Sequence, residues 1–175
     1  MLSLTMNDAA ALALGVHDHP AALTPPGGLA PGLRGRLADG ITRRGAVLTW
    51  ADSTADAGAA PAAFTDLTAW ECADSSFHLE DHVPVEVRTV DDAPQISEDD
   101  QRLLLLHGIA LALEFRRLLT GADHPGPVRC IVAANGTNAT FRFHRIRAGQ
   151  SWHNPDLDGY RTDKLVVLDL VPAAP

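Results

Sequence analysis

His78-Leu-Glu80-Asp-His82 sets two imidazoles and a carboxylate at alternate positions of the chain. On a strand, residues two apart share a face, so His78, Glu80 and His82 would project together as two nitrogen ligands and one oxygen ligand for a zinc-like divalent transition metal. Without a metal, His78 is a candidate general acid or base. A second group is Arg129, Arg142 and His144, joined by Trp152 and His153 if the segment carrying them folds back. Planar guanidinium forks suit a carboxylate or a phosphate, and His144 beside them could move a proton. The competing reading is internal: Glu80, Glu86 or Asp169 on neighbouring strands would neutralise the arginines as ordinary ion pairs.

Other groups carry less. Asn154-Pro-Asp156-Leu-Asp158-Gly159 follows the first half of a calcium-binding loop, but the twelfth position is Leu165 instead of a bidentate glutamate. A turn rich in Asp, Asn, Pro and Gly accounts for it better. His17-Asp-His19 repeats the two-apart spacing inside a proline-rich stretch, and His107 and His124 stand alone. Phosphate-loop, dinucleotide-glycine, nucleophile-elbow and cysteine-based zinc patterns are absent from the sequence.

The elements that must position these residues are legible in part. Asn135-Gly136 between two alternating apolar runs predicts a hairpin with a type I′ turn. That register pairs Ala134 with Thr137, Val132 with Ala139, Cys130 with Phe141 and Val128 with Phe143 on one apolar face. On the other face it sets Arg129 directly across from Arg142, with His144 just beyond, and like charges so placed require an anion between them. Phe77 to Thr89 alternates apolar and polar residues and reads as one half-buried strand, bulged or at an edge because Pro84 cannot donate to a ladder.

Ser97 with three acids after it starts a helix, and Arg116, Arg117 and Gly121 mark its end. The helix, about 98–119, is apolar over most of its circumference and roughly 33 Å long, enough to cross a sheet. A second copy of the chain could cover part of so wide an apolar surface. Ala46 to Trp50 and Leu165 to Val171 read as strands, Phe64 to Cys72 as a weaker one, and Asn7 to Leu14 and Leu33 to Arg43 as short helices. Arg147 to Asp163 is a long connection, of the kind that more often carries function than not.

These elements predict an α+β fold: an antiparallel sheet of five to six strands with the long helix packed across one face. The 175 residues read as one domain, its 1–45 part an irregular Pro/Gly-rich segment packing on or extending from the α+β core 46–172. A net charge of -8 argues against nucleic acid and anionic membranes as partners. Cys72 and Cys130 lack metal-ligand spacing and read as reduced core thiols of a cytoplasmic protein, and the first eight residues lack the basic region of a signal peptide.

Two function classes follow. One is a small acidic binding or accessory protein, of the immunity type that neutralises a partner, using the polar sheet face and the 147–163 loop. The other is a small metabolic enzyme acting on an anionic small molecule, with His144 or His78 as acid and base, Arg142 as the anion site, and a metal where the histidines assemble one.

Overall fold

A computed structural model describes residues 1–15, 23–55, 58–121 and 126–171. Its centre is a five-stranded antiparallel sheet in the order β1-β9-β7-β8-β4, where β1 is Leu2–Met6, β4 Phe77–His78, β7 Val128–Ala134, β8 Ala139–Arg145 and β9 Lys164–Leu170. Two separate two-stranded ribbons accompany it, β2 (Ile41–Arg44) with β3 (Val47–Trp50) and β5 (Val87–Val90) with β6 (Ala93–Ile96). Among the described residues four helices accompany the sheets of this α+β fold: α1 (Asp8–Leu14), α2 (Pro31–Asp39), α3 (Leu67–Ser75) and α4 (Glu98–Gly121). Among the described residues no helix is long and apolar enough to cross a membrane.

The strand alternation sorts the sheet into two faces. Val128, Cys130, Val132 and Ala134 of β7, Ala139, Phe141 and Phe143 of β8, and Val166, Leu168 and Leu170 of β9 form the inner face and are fully buried. Helix α4 lies across it, as its apolar periodicity requires, capped at its start by the Ser97 hydroxyl, which accepts the Asp100 N–H. The closest approach is at Gly108, where a Cβ would stand 2.4 Å from Cγ1 of Val132, so only glycine lets helix and sheet meet there. The other side of α4 is packed by α1 and α2, so the first 45 residues carry β1, α1, α2 and β2 and cover helix surface that a second copy could have reached. Trp50 fills the end of the core, with Phe77, Phe115, Phe141 and Phe143 at ring-centroid distances of 5.9, 5.6, 6.4 and 5.1 Å, and its indole N–H donates to the Ser75 carbonyl.

Four local expectations are corrected. The β7–β8 hairpin turns at Gly136 and Thr137, so Ala134 pairs with Ala139, Ile131 with Arg142, and Arg129 with His144 instead of Arg142. The shift is by two residues, which preserves the face of every side chain and changes only its partner. Its cause is Asn135: its side-chain oxygen accepts the N–H groups of Thr137 and Asn138 and the Thr137 hydroxyl, an Asx turn that needs no positive φ. The positive φ pair of a type I′ turn occurs instead at Asp91 (50°) and Asp92 (61°), joining β5 to β6.

Phe64 to Cys72 is not a strand. Asp66 caps α3 by accepting the Ala69 N–H, and the buried positions Thr68, Glu71, Cys72 and Ser75 follow helical spacing with mostly polar side chains, which hides the element from a hydrophobic reading. Phe77 to Thr89 is likewise not one strand: β4 stops at His78, Leu79–Asp81 forms a 3-10 turn, and the chain resumes as β5 in a different sheet. Leu33 to Arg43 divides into the end of α2 and the start of β2 at Gly40, whose φ of 79° breaks the helix.

Candidate functional site

The outer face of the sheet is built from the alternate residues: Arg129, Ile131 and Ala133 of β7, Thr140, Arg142 and His144 of β8, and Leu165, Val167 and Asp169 of β9. His78 joins them from β4, opposite Thr140. Helix α3 closes one end of this face. It stands where another strand would pair with β8, and its side chains take over the ladder: the Ser75 hydroxyl both donates to the Phe143 carbonyl and accepts the Phe143 N–H, and Glu71 accepts the Arg145 N–H.

Glu71 is wholly buried and saturated. One oxygen accepts from the Leu48 N–H (2.8 Å) and Arg147 Nη2 (2.7 Å), the other from the Arg145 N–H (2.7 Å) and Arg147 Nη1 (2.8 Å). One carboxylate thereby ties β3, β8 and the first residues of the long connection together. A buried ion pair is tolerated only with this degree of hydrogen bonding. Sequence reasoning missed both partners, because Glu71 sat in an expected strand and Arg147 in an expected loop.

Arg129 is also satisfied. Its Nε and Nη2 donate to the two oxygens of Asp169 on β9 at 2.6 and 2.7 Å, and Nη1 donates to Nε2 of His153 at 2.9 Å. Asp169 holds the guanidinium pKa up against the opposing effect of burial. His153 therefore carries its proton on Nδ1, which donates to the Asn154 carbonyl at 2.8 Å, and both ring nitrogens are engaged. The internal ion-pair reading holds for Arg129, with Asp169 as the partner.

Arg142 differs. No carboxylate oxygen lies within 4 Å of it among the described residues. Its Nη2 donates to the Thr140 hydroxyl at 3.0 Å, and its guanidinium carbon lies 5.6 Å from the centre of the Trp152 ring. Burial is the main influence and pulls its pKa down, yet an arginine stays charged.

Arg142 lines a cavity of about 370 Å³ together with His78, Asn138, Thr140, Trp152, His153, Tyr160 and Asp163 over a floor of Ile131, Ala133 and Leu165. The long connection supplies the outer wall, as its length led one to expect, and it is held in place from three sides. The Asn7 amide donates to the Asp163 carbonyl (2.7 Å), the Asn135 amide to the Asp163 carboxylate (2.7 Å), and the Thr68 hydroxyl to Gln150 (2.8 Å). The Asn154 N–H donates to the Tyr160 hydroxyl, and Asp158 is spent on the N–H of Asp8.

The remaining candidates fall in different places. His144 is buried outside this cavity: Nδ1–H donates to the Arg145 carbonyl at 2.8 Å, Nε2 has no partner, and burial lowers its pKa. His78 does line the cavity, with Nδ1 on Glu80 at 2.9 Å. The other Glu80 oxygen accepts the Ala139 N–H. His82 packs edge-on against Phe77 instead, at 5.1 Å, since the 3-10 turn rotates it away from the other two. His78, Glu80 and His82 therefore share no face, and among the described residues no group of three or more His, Cys, Asp or Glu side chains is placed to hold a metal ion. His17, His19 and His124 lie outside the described residues.

His107 is buried on α4, where Nδ1 accepts the Ala30 N–H at 3.4 Å and burial lowers its pKa. Both cysteines are buried free thiols; burial pushes Cys72 up to about 12 and raises Cys130 further from reactivity. Asn7, Asn135, Thr140, Tyr160 and Asp163 were not singled out as site residues in the sequence, which carries no local signal for contacts spanning up to 156 positions.

Neither the curated proteins nor the solved structures contain a match to this chain. The model of the Uncharacterized protein PM0498 family matches residues 28–172, which takes in α2, α3, α4, the four remaining strands of the central sheet and every residue lining the cavity, and the chain belongs to that family.

Proposed function

We propose that this protein binds a small organic carboxylate in the cavity on the outer face of its sheet. One observation carries the reading: Arg142 keeps a half-buried guanidinium in a concave, partly apolar site without a carboxylate partner, while the two neighbouring arginines are fully paired. An unpaired charge in such a place costs stability, and a ligand carboxylate would remove that cost through a bidentate hydrogen bond. The cavity volume suits a small molecule, and Trp152, 40% exposed, gives the ligand an aromatic surface. A concave site favours a small ligand over the contact surface that a partner-neutralising protein would offer.

A second reading, in which the ligand is also transformed, is favoured by His78. Glu80 accepts its Nδ1–H, which leaves Nε2 as the basic nitrogen of a residue lining the same cavity. It replaces His144 as the acid and base candidate, since His144 is buried away from the ligand space.

Calorimetry of the purified chain against small aromatic and aliphatic carboxylates tests the proposal. Binding by the unaltered protein, with at least about a tenfold loss in Arg142→Gln, is the expected result. Equal affinity in the variant overturns it. If turnover accompanies binding, His78→Gln lowers its rate while leaving affinity within about threefold.

A further inference from the structure

We infer that the ligand of this cavity is a small zwitterion with an apolar side chain, of the free amino-acid class, its carboxylate on Arg142 and its ammonium at Asp163. The inference rests on the carboxylate reading above and names the ligand more narrowly.

Arg142 and Asp163 are both half-buried, both line the cavity, and do not come within 4 Å of each other. Opposite charges in one small space normally close into an ion pair. Here each is held back by its own anchors: Arg142 by the Thr140 hydroxyl and the Trp152 ring, Asp163 by the Asn135 amide on one carboxylate oxygen and the Asn7 amide on its carbonyl. The second carboxylate oxygen meets only the adjacent Thr162 hydroxyl at 3.5 Å, at the limit of a hydrogen bond, so it keeps acceptor capacity for a ligand.

The separated pair also selects against the simpler alternatives. A ligand with only a carboxylate gains Arg142 and is repelled by Asp163, and a ligand with only an amine meets the reverse. A molecule carrying both charges satisfies both ends at once. Between the charges the floor is apolar, formed by Ile131, Ala133 and Leu165, with Tyr160 and Trp152 at the wall, which suits an aliphatic or aromatic side chain.

The experiment is calorimetry of the full chain with two matched sets: phenylalanine, phenylpropanoate and phenylethylamine, and leucine, methylpentanoate and isopentylamine. Within a set the skeleton is constant and only the charged ends differ. The inference expects the amino acid of at least one set to bind about tenfold or more tighter than its matched carboxylate, and this preference to shrink below about threefold in Asp163→Asn. That variant keeps an oxygen to accept from Asn135, and its circular-dichroism melting curve reports whether the fold is retained. Should it unfold, the matched sets on the unaltered protein decide the matter alone. A carboxylate that binds as tightly as its amino acid in both sets overturns the zwitterion and leaves the carboxylate reading standing. Binding by the amines alone, or by none of the six up to about 10 mM, overturns both.

Discussion

Arginines on and beside the outer sheet face stand in opposite circumstances. Arg147 is locked bidentately on the buried Glu71 of α3, and Arg129 is locked on Asp169 of β9. In the cavity, Arg142 meets a hydroxyl and an indole and has no carboxylate within 4 Å among the described residues. Acidic residues are abundant in this chain, 22 against 14 basic ones, so the unpaired state of Arg142 does not follow from a shortage of carboxylates. Saturated charges of the first kind hold elements together, and an unsaturated one is tolerated where something else completes it.

The largest effect should come from breaking the saturated kind. Glu71→Ala leaves Arg147 and two backbone N–H groups unpaired in a buried place, and a loss of about 3–5 kcal/mol in chemical denaturation is expected. A loss under about 1 kcal/mol would show that α3 is not tied to β3 and β8 through this carboxylate.

Arg142→Ala is the opposite case. Stability should change by less than about 1 kcal/mol, or rise, since the variant removes a partly buried charge with no ion pair to lose. A loss as large as that of Glu71→Ala would make Arg142 structural and erase the contrast between the two kinds of arginine. Asp169→Asn converts the first kind of arginine toward the second. It should cost about 1 kcal/mol, because the pair is about a quarter exposed, with side chains at 22% and 26%. It should also create weak anion binding near His153; if anion binding is unchanged, the absence of a carboxylate is not what makes Arg142 a site.

The smallest effect is in the pH dependence. Burial lowers the folded-state pKa of His144, and of His107 on the other side of the sheet, below the ordinary value of 6.5. On acidification the unfolded chain takes up these protons first, so the stability they contribute is complete above pH 6.5 and declines as the pH falls below it. The urea midpoint should therefore be lower at about pH 5.5 than at about pH 7.5, and His144→Asn should flatten that difference. An identical fall in the variant would mean that His144 does not remain neutral in the fold. Carboxylates ordinarily titrate at lower pH, outside this window.

Much of the scaffold was legible because it is periodic. The long helix has its cap at Ser97 and apolar residues at helical spacing, and β7, β8 and β9 alternate; each pattern fixes element type and facing residues independently of distant contacts. Where burial depends on hydrogen bonds the pattern fails. Thr68, Glu71 and Ser75 occupy the buried stripe of α3, so a hydrophobic reading sees no helix there. The split of Phe77 to Thr89 was hidden for another reason: a 3-10 turn at Leu79–Asp81 leaves the alternation in the sequence undisturbed.

The candidate site shows the same division. Arg129, Arg142, Trp152, His153 and His78 were named from the sequence, and four of them line the cavity, with Arg129 bonded to its wall at His153. The sequence by itself determined that β8 would turn Arg142 and His144 to one face, since the side-chain period of a strand survives a register shift of two. Only the tertiary structure decided their fates. His144 is buried away from the cavity, Asp169 across the sheet claims Arg129, and Asn7 and Asn135 pull Asp163 to the cavity while leaving Arg142 unpaired. Periodicity is a local property of the chain, whereas the neutralisation of a charge depends on which distant side chains fold against it.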